Sequence, residues 1–302
     1  MIKRAIATVI AMVAMATAAY SQTITKSQEY SPFTTIEVGD SFNVSFRPSY
    51  EGNYLAEWTI DNILENYVTV YVKNKTLFVD LDERAMNKDK EVKNAYKGKD
   101  APSPVLNVII KVPTFVKLKI SDNAVVDAMG TNFENNEFEL EVAGNGKVNN
   151  LTVKSREAKV SLSKNANVTM NLDANDIKIE LEDNTSLSLN QNSSNLAIAT
   201  EDNAALTLTG SANSTKIESK NSSKLNLSGS SSMLDVKSQD RCEIEATRFP
   251  VKDLSVNIKG NSKVFSAVNN NLSIEMDGGN LEFSGNPAIK ITTLKKATVT
   301  HK

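Results

Sequence analysis

The sequence predicts an all-β protein, a right-handed parallel β-helix of about eight or nine short coils preceded by a β-rich N-terminal region. Three observations carry that prediction. From Phe115 onward the chain repeats every 19 to 22 residues, and one corner position reads Asn123, Asn145, Asn165, Asn184, Asn203, Ser222, Arg241 and Asn261. The next position is uniformly small: Ala124, Gly146, Ala166, Thr185, Ala204, Ser223, Cys242 and Ser262. Between corners, apolar and polar residues alternate with the period of two that gives a strand one buried face. Such a repeat cannot bury its apolar face alone and must stack on its neighbours. Stacked strands lie about 4.8 Å apart, so the coils make a rod roughly 40 Å long. Parallel crossovers are right-handed in the great majority of folds, which sets the expected hand.

The elements follow in chain order. Lys3 and Arg4 precede an apolar run from Ala5 to Ala16 and a small-residue end at Ala19–Ser21, which reads as a secretory signal peptide (residues 1–21) cut before Gln22. No second apolar run follows, so no membrane span is expected after cleavage. Residues 22–114 hold 11 of the 18 aromatic residues and read as the β-rich region. Strands are expected at 35–38, 42–47, 54–60, 68–73, 76–81 and 105–112, punctuated by Gly39, Pro48, Gly52 and a turn at Asn74. The charged stretch from Asp82 to Asp100 reads as a mobile loop or one exposed helical turn. Residues 115–302 are the solenoid. With coils running to within about twenty residues of Lys302, no translocator barrel or sorting domain is expected after it.

Within the solenoid the inward residues can be named. Ile177, Ile179 and Leu181, then Thr185, Leu187 and Leu189, form one coil; Leu196, Ile198 and Thr200, then Ala204, Leu206 and Leu208, form the next. Leu187, Leu206, Leu225 and Ile244 are expected to form one buried column. Asn at the corners tolerates left-handed backbone and can hydrogen-bond from coil to coil, which makes the Asn123, Asn145, Asn165, Asn184, Asn203 and Asn261 column a structural ladder. The small column marks where the coil narrows, and Cys242, the only cysteine, reads there as a buried small residue.

Chemistry is harder to find. After signal removal the formal balance is 32 basic against 36 acidic side chains, which gives no case for a nucleic-acid partner. His301, the only histidine, lies at the C-terminal edge, so neither a Ser-His-Asp or Cys-His arrangement nor a histidine zinc site is expected. The repeated Glu-Asp-Asn corners set Glu182, Asp183, Glu201 and Asp202 on adjacent turns. They read as a solvated acidic corner, with two functional alternatives: a calcium site, the one cofactor candidate, or paired carboxylates for glycoside hydrolysis. Arg241 replaces the corner amide in one coil and is expected to pair with Asp240 or Glu243, with the base of a lyase reaction as its functional alternative. Residues 139–248 contain no Phe, Tyr or Trp, so the central coils offer no stacking platform for sugar rings or bases. An aromatic binding surface would have to use Tyr50, Tyr54, Trp58, Tyr67 and Tyr96, whose other reading is core packing.

The segments FTTIEVGDSFNVSFRPS (33–49), VYVKNKTLFVDL (70–81) and VPTFVKLKISDNAVVDAMG (112–130) resemble the head GIN domain family of autotransporter adhesins. The resemblance covers nearly the whole mature chain and implies an exported β-solenoid in the periplasm, at the surface or outside a Gram-negative cell. Two function classes follow. One is a non-catalytic adhesin or scaffold that binds a glycan or an envelope protein; the other is a polysaccharide-active β-helix enzyme, a lyase or glycoside hydrolase.

Overall fold

A computed structural model describes residues 22–49, 51–98 and 101–302. The signal-peptide reading of residues 1–21 and the candidate Tyr50 lie outside the described residues. The described residues form one continuous sheet system of 19 strands wound into a solenoid of about ten turns.

The N-terminal region contains β1 (Thr23–Tyr30), β2 (Thr35–Val38), β3 (Asn43–Pro48), β4 (Tyr54–Asp61), β5 (Val68–Lys73), β6 (Thr76–Leu81) and β7 (Leu106–Val112). Strands β8 (Lys117–Ile120), β9 (Val125–Asp127), β10 (Asn132–Glu134) and β11 (Glu137–Val142) open the repeats. The next strands are long and bend around whole coils: β12 (Lys147–Leu162), β13 (Asn167–Leu181), β14 (Ser186–Thr200), β15 (Ala205–Ser219), β16 (Lys224–Asp240) and β17 (Glu243–Ser284). Strands β18 (Ala288–Lys295) and β19 (Thr298–His301) end the chain.

The turn count exceeds the eight or nine expected from the corner repeat because the N-terminal strands join the stack. Strand β2 pairs in parallel with β6 on one side and β8 on the other, and β3 does the same with β7 and β9. The parallel run then stops at antiparallel partners: β4 on β7, β1 on β4, and β5 on β6. The β5–β6 hairpin turns at Asn74 and Lys75, whose φ of 52° and 60° are the paired positive values of a two-residue turn whose twist matches its strands.

Two apolar columns run the length of the stack. One passes from Leu77 through Ile36, Leu118, Leu140, Val160, Ile179, Ile198 and Ile217 to Val236 and Val256. The other passes from Val108 through Val44, Val126, Val148 and Val168 to Leu187, Leu206, Leu225 and Ile244. All are buried, each contributing about 1.5–3 kcal/mol relative to an exposed side chain. The expected Leu187–Ile244 column is therefore present, with four further coils on its N-terminal side and Val108 at its head.

The small column is buried throughout, and Gly146 shows how narrow the coil is there: a Cβ on it would lie 2.8 Å from Val142 Cγ1. A second close approach occurs at Gly210 and Gly229, which follow Gln191 in register with φ of 127° and 129°. A Cβ on Gly210 would stand 1.7 Å from the Gln191 carbonyl oxygen, so no side chain fits that bend.

Two N-terminal segments differ from the sequence expectation. Strand β1 has no clean apolar alternation, yet all eight residues pair with β4; its fold comes from the ladder, with Ile24 and Tyr30 packing on the core. The charged segment forms two short helices, α1 (Glu83–Met86) and α2 (Lys90–Ala95). Asp82 caps the first by accepting from Ala85 N at 2.8 Å, and Asp89 caps the second by accepting from Glu91 N at 2.8 Å. Buried Val92 and the 2.6 Å bond from Tyr67 Oη to Asp89 Oδ2 hold α2 against the body.

Candidate functional site

The corner is a four-residue device repeated along the rod. Its members are, in successive turns, Ser121–Ala124, Ala143–Gly146, Ser163–Ala166, Glu182–Thr185, Glu201–Ala204, Lys220–Ser223, Gln239–Cys242 and Lys259–Ser262. The second residue of each adopts positive φ: Asp122 (57°), Gly144 (72°), Lys164 (66°), Asp183 (61°), Asp202 (54°), Asn221 (62°), Asp240 (70°) and Gly260 (72°). The left-handed residue thus precedes the Asn column, which corrects the sequence reading; within that column only Asn203 shares the conformation, at 62°. Asp prevails at the left-handed position because its short polar side chain tolerates αL and bonds locally.

The corner bonds run from coil to coil. The main-chain N–H of Asn145 donates to Asp122 O at 2.6 Å, that of Asn165 to Gly144 O at 2.9 Å, and that of Arg241 to Asn221 O at 2.8 Å. Side-chain amides add Asn145 to Asn123 at 2.8 Å, Asn165 to Asn145 at 3.1 Å and Asn203 to Asn184 at 3.4 Å. Asn261 stands in the same column on the wall of the groove described below.

The acidic quartet is divided by this ladder. Asp183 Oδ2 accepts from the Lys164 main-chain N–H at 3.1 Å, and Asp202 Oδ1 accepts from Asn221 Nδ2. Glu182 and Glu201 stand one position earlier in their corners. Among the described residues, no group of three or more His, Cys, Asp or Glu side chains is placed to hold a metal ion. The head of the same column shows what crowding does: Asp40 accepts from Leu81 N at 2.8 Å, yet burial, with Asp122 nearby, leaves its carboxyl above the usual range.

The predicted aromatics serve the N-terminal fold. Trp58 is buried on β4 between Lys26 of β1 and Val108 of β7. Tyr54 meets Phe33 edge-on at 5.0 Å between ring centres. Tyr96 Oη donates to buried Asp61 Oδ2 at 2.7 Å, and burial raises its phenol. With Tyr67 on Asp89, these rings tie the charged segment down. Among the described residues Tyr71 is the one exposed aromatic ring, and it stacks on Phe78 at 5.1 Å.

A polar groove of about 610 Å³ lies along the corner of the later turns, lined by Asp202, Asn203, Asn221, Ser222, Asp240, Arg241, Gly260 and Asn261. It joins two adjacent corner columns over four turns. Arg241 has no carboxylate within 4.0 Å among the described residues, so the expected pairing with Asp240 or Glu243 is not made; Glu243 pairs with Lys224 at 3.4 Å. Sequence reading singled out Asp202, Asn203, Arg241 and Asn261 but not the groove, since the amide and left-handed columns form a joint wall only once the coils stack. Cys242, beneath Arg241, is buried with Sγ 3.2 Å from Gln239 O.

A search of curated proteins finds no significant match. Among solved structures, the chain resembles a putative adhesin from Parabacteroides merdae ATCC 43184 at 17% identity and a TM-score of 0.47, covering 93% of this chain and 96% of that one. A putative adhesin from Parabacteroides distasonis ATCC 8503 gives 16%, 0.48, 93% and 98% for the same measures. A putative lipid binding protein from that organism gives 16%, 0.46, 93% and 96%. The family profile described as "Putative auto-transporter adhesin, head GIN domain" matches residues 32–190 and 177–287. Those two spans take in nearly all of the stacked coils, and the chain belongs to the head GIN domain family of auto-transporter adhesins.

Proposed function

We propose that this protein is a non-catalytic module of a Gram-negative cell envelope that binds a glycan or an envelope protein along its corner groove. The observation that carries the reading is the groove itself: amides, hydroxyls, two carboxylates and a guanidinium brought to one concave polar surface at the rung spacing of the stack. Such a wall is suited to a polar, extended ligand that follows the rod axis. It holds no aromatic or large apolar anchor, so affinity would come from many hydrogen bonds rather than a hot spot. Membership of the head GIN domain family agrees with this reading, as does the sequence reading of residues 1–21 as an export signal.

The glycan-cleaving alternative rests on Asp202 and Asp240, which both line the groove two coils apart, about 10 Å by rung spacing. That is at the long end of the separation used by inverting glycosidases. One experiment addresses both readings. The chain from Gln22 is applied to a glycan array and used to capture envelope components, with Asn203→Ala plus Asn221→Ala as the groove variant. Binding lost by the variant at unchanged melting temperature supports the proposal. Binding that survives the double change overturns the groove, and release of shorter oligosaccharides from a bound glycan replaces the binding module with an enzyme.

A further inference from the structure

Charge along the corner is not uniform. The first corner position reads Ser163, Glu182, Glu201, Lys220, Gln239 and Lys259 in successive turns, so it passes from acidic to basic between the first and second turns of the groove. Arg241 breaks the amide column in the middle of that stretch, and Lys263 follows two residues after Asn261. Several cations on the strand faces are paired, Lys117 with Glu139 and Glu141, Lys159 and Lys178 with Glu180, Lys216 and Lys237 with Glu218, whereas Lys147, Lys164, Arg248 and Lys252 make no ion pair among the described residues. Lys220, Arg241, Lys259 and Lys263 are exposed, and among the described residues none has a carboxylate within 4.0 Å. Lys220 and Lys259, with Lys237 and Glu218, line another cavity of about 330 Å³ on the strand side of the same turns.

We infer that this basic stretch makes the groove selective for acidic polysaccharides, polymers carrying carboxylate or sulfate groups, with Arg241 as the central anion contact; the inference rests on the groove being the binding face. A guanidinium presents a planar fork that matches a carboxylate or sulfate in two parallel hydrogen bonds, so one Arg in a column of amides specifies both charge and orientation. Asn203, Asn221, Asn261 and Ser222 are left to bond sugar hydroxyls. Lys220 and Lys259 stand two coils apart, about 10 Å along the axis. That arrangement suits a chain with an acid on alternate sugars. Asp202 already accepts from Asn221, whereas Asp240 has no such partner among the described residues and opposes the bound anion. A nucleic acid would need ring stacking that residues 139–248 cannot supply, and a membrane surface would need apolar side chains that the groove wall lacks.

The test measures binding of the chain from Gln22 to immobilised hyaluronate, chondroitin sulfate and neutral dextran at low and high salt, with melting temperatures taken in parallel. The expected result is hyaluronate or chondroitin sulfate binding that weakens with salt, falls about tenfold or more in Arg241→Gln, and falls again in Lys220→Ala plus Lys259→Ala. Asp240→Asn should tighten it severalfold, a change that a merely structural role for the corner does not produce. Salt-independent binding, or full binding by a folded Arg241→Gln protein, would overturn the inference. Dextran bound as well as hyaluronate and lost in Asn203→Ala plus Asn221→Ala would leave the groove in place and remove its charge selectivity. Capture of neither acidic nor neutral polymer would overturn the inference and leave the groove only as a face for an envelope protein.

Discussion

Val38, Ile120, Val142, Leu162 and Leu181 occupy, coil after coil, the interior position that Thr200, Ser219 and Ser238 occupy farther along, before Ile258 returns it to hydrocarbon. Across the corner, the small column changes in parallel, from Ala124 and Ala166 to Ser223, Cys242 and Ser262. The earliest turns, through Leu162 and Ala166, carry no hydroxyl in either column. The later ones carry buried hydroxyls, of which Thr200 and Ser219 bond each other at 2.8 Å while Ser238 Oγ has no protein partner. The difference teaches that a stacked coil needs hydrocarbon in the columns beneath its flat faces, whereas the narrow corner accepts polar atoms, some bonded along the stack and others without a protein partner. Those hydroxyl-bearing turns are the ones whose outer corner forms the groove.

The comparison can be broken most violently in a flat-face column. Leu206→Asp puts an unpaired charge between Leu187 and Leu225, a cost of several kcal/mol, and should abolish cooperative folding by circular dichroism. A soluble Leu206→Asp protein with native melting would show that the column is not the support of the fold. At the corner the effect should be smaller and depend on pairing. Thr200→Ala strands the Ser219 hydroxyl and should cost about 1–3 kcal/mol, while Thr200→Val with Ser219→Ala removes both partners and should cost less in chemical denaturation. On the exposed outer face of the corner, Asn184→Ala and Asn203→Ala should each lower stability by at most about 1 kcal/mol, because their amide bond is long and exposed.

Acid provides a further contrast. Hydrogen bonds from Lys178 and Lys159 hold Glu180 down to about 2, so its contribution is present above the usual carboxylate range and is lost as pH falls from about 4.5 toward 2. Glu180→Gln should flatten that part of the melting-temperature profile; an unchanged slope would mean that the pair is screened. Calcium should do least of all. The Glu182–Asp183 and Glu201–Asp202 corners lack the spaced oxygen ligands of a dedicated loop, so melting in millimolar calcium and in chelator should differ little. A large calcium-dependent rise abolished by Asp183→Asn with Asp202→Asn would make the acidic corner a metal site.

Much of this fold was legible along the chain because a solenoid converts spacing into structure. The alternation that placed Leu187, Leu206, Leu225 and Ile244 inward follows from the period of a strand, and the coils repeat it in register. Strand β1 was not legible, since its pairing with β4 is a main-chain property that leaves no apolar trace. Nor, beyond one exposed helical turn as an alternative, were the helices at Asp82 and Asp89, whose caps are plain in hindsight but whose one buried apolar residue is Val92, with Met86 only partly buried against the core. At the corner, Arg241 and the Asn column were visible as letters. Their common groove was not, because it is shared among residues about 19 apart that meet only through stacking.

By itself, then, the sequence determined the strand period, the corner repeat and the burial of the flat-face columns, because each depends on local alternation and a repeat length that admits only stacking. Tertiary structure alone decided how the N-terminal strands extend and close the stack, which corner residue takes the left-handed backbone, and which cations remain unpaired beside the groove. Those outcomes depend on contacts between coils, and a side chain's partner one coil away is set by register and bend rather than by its neighbours in the chain.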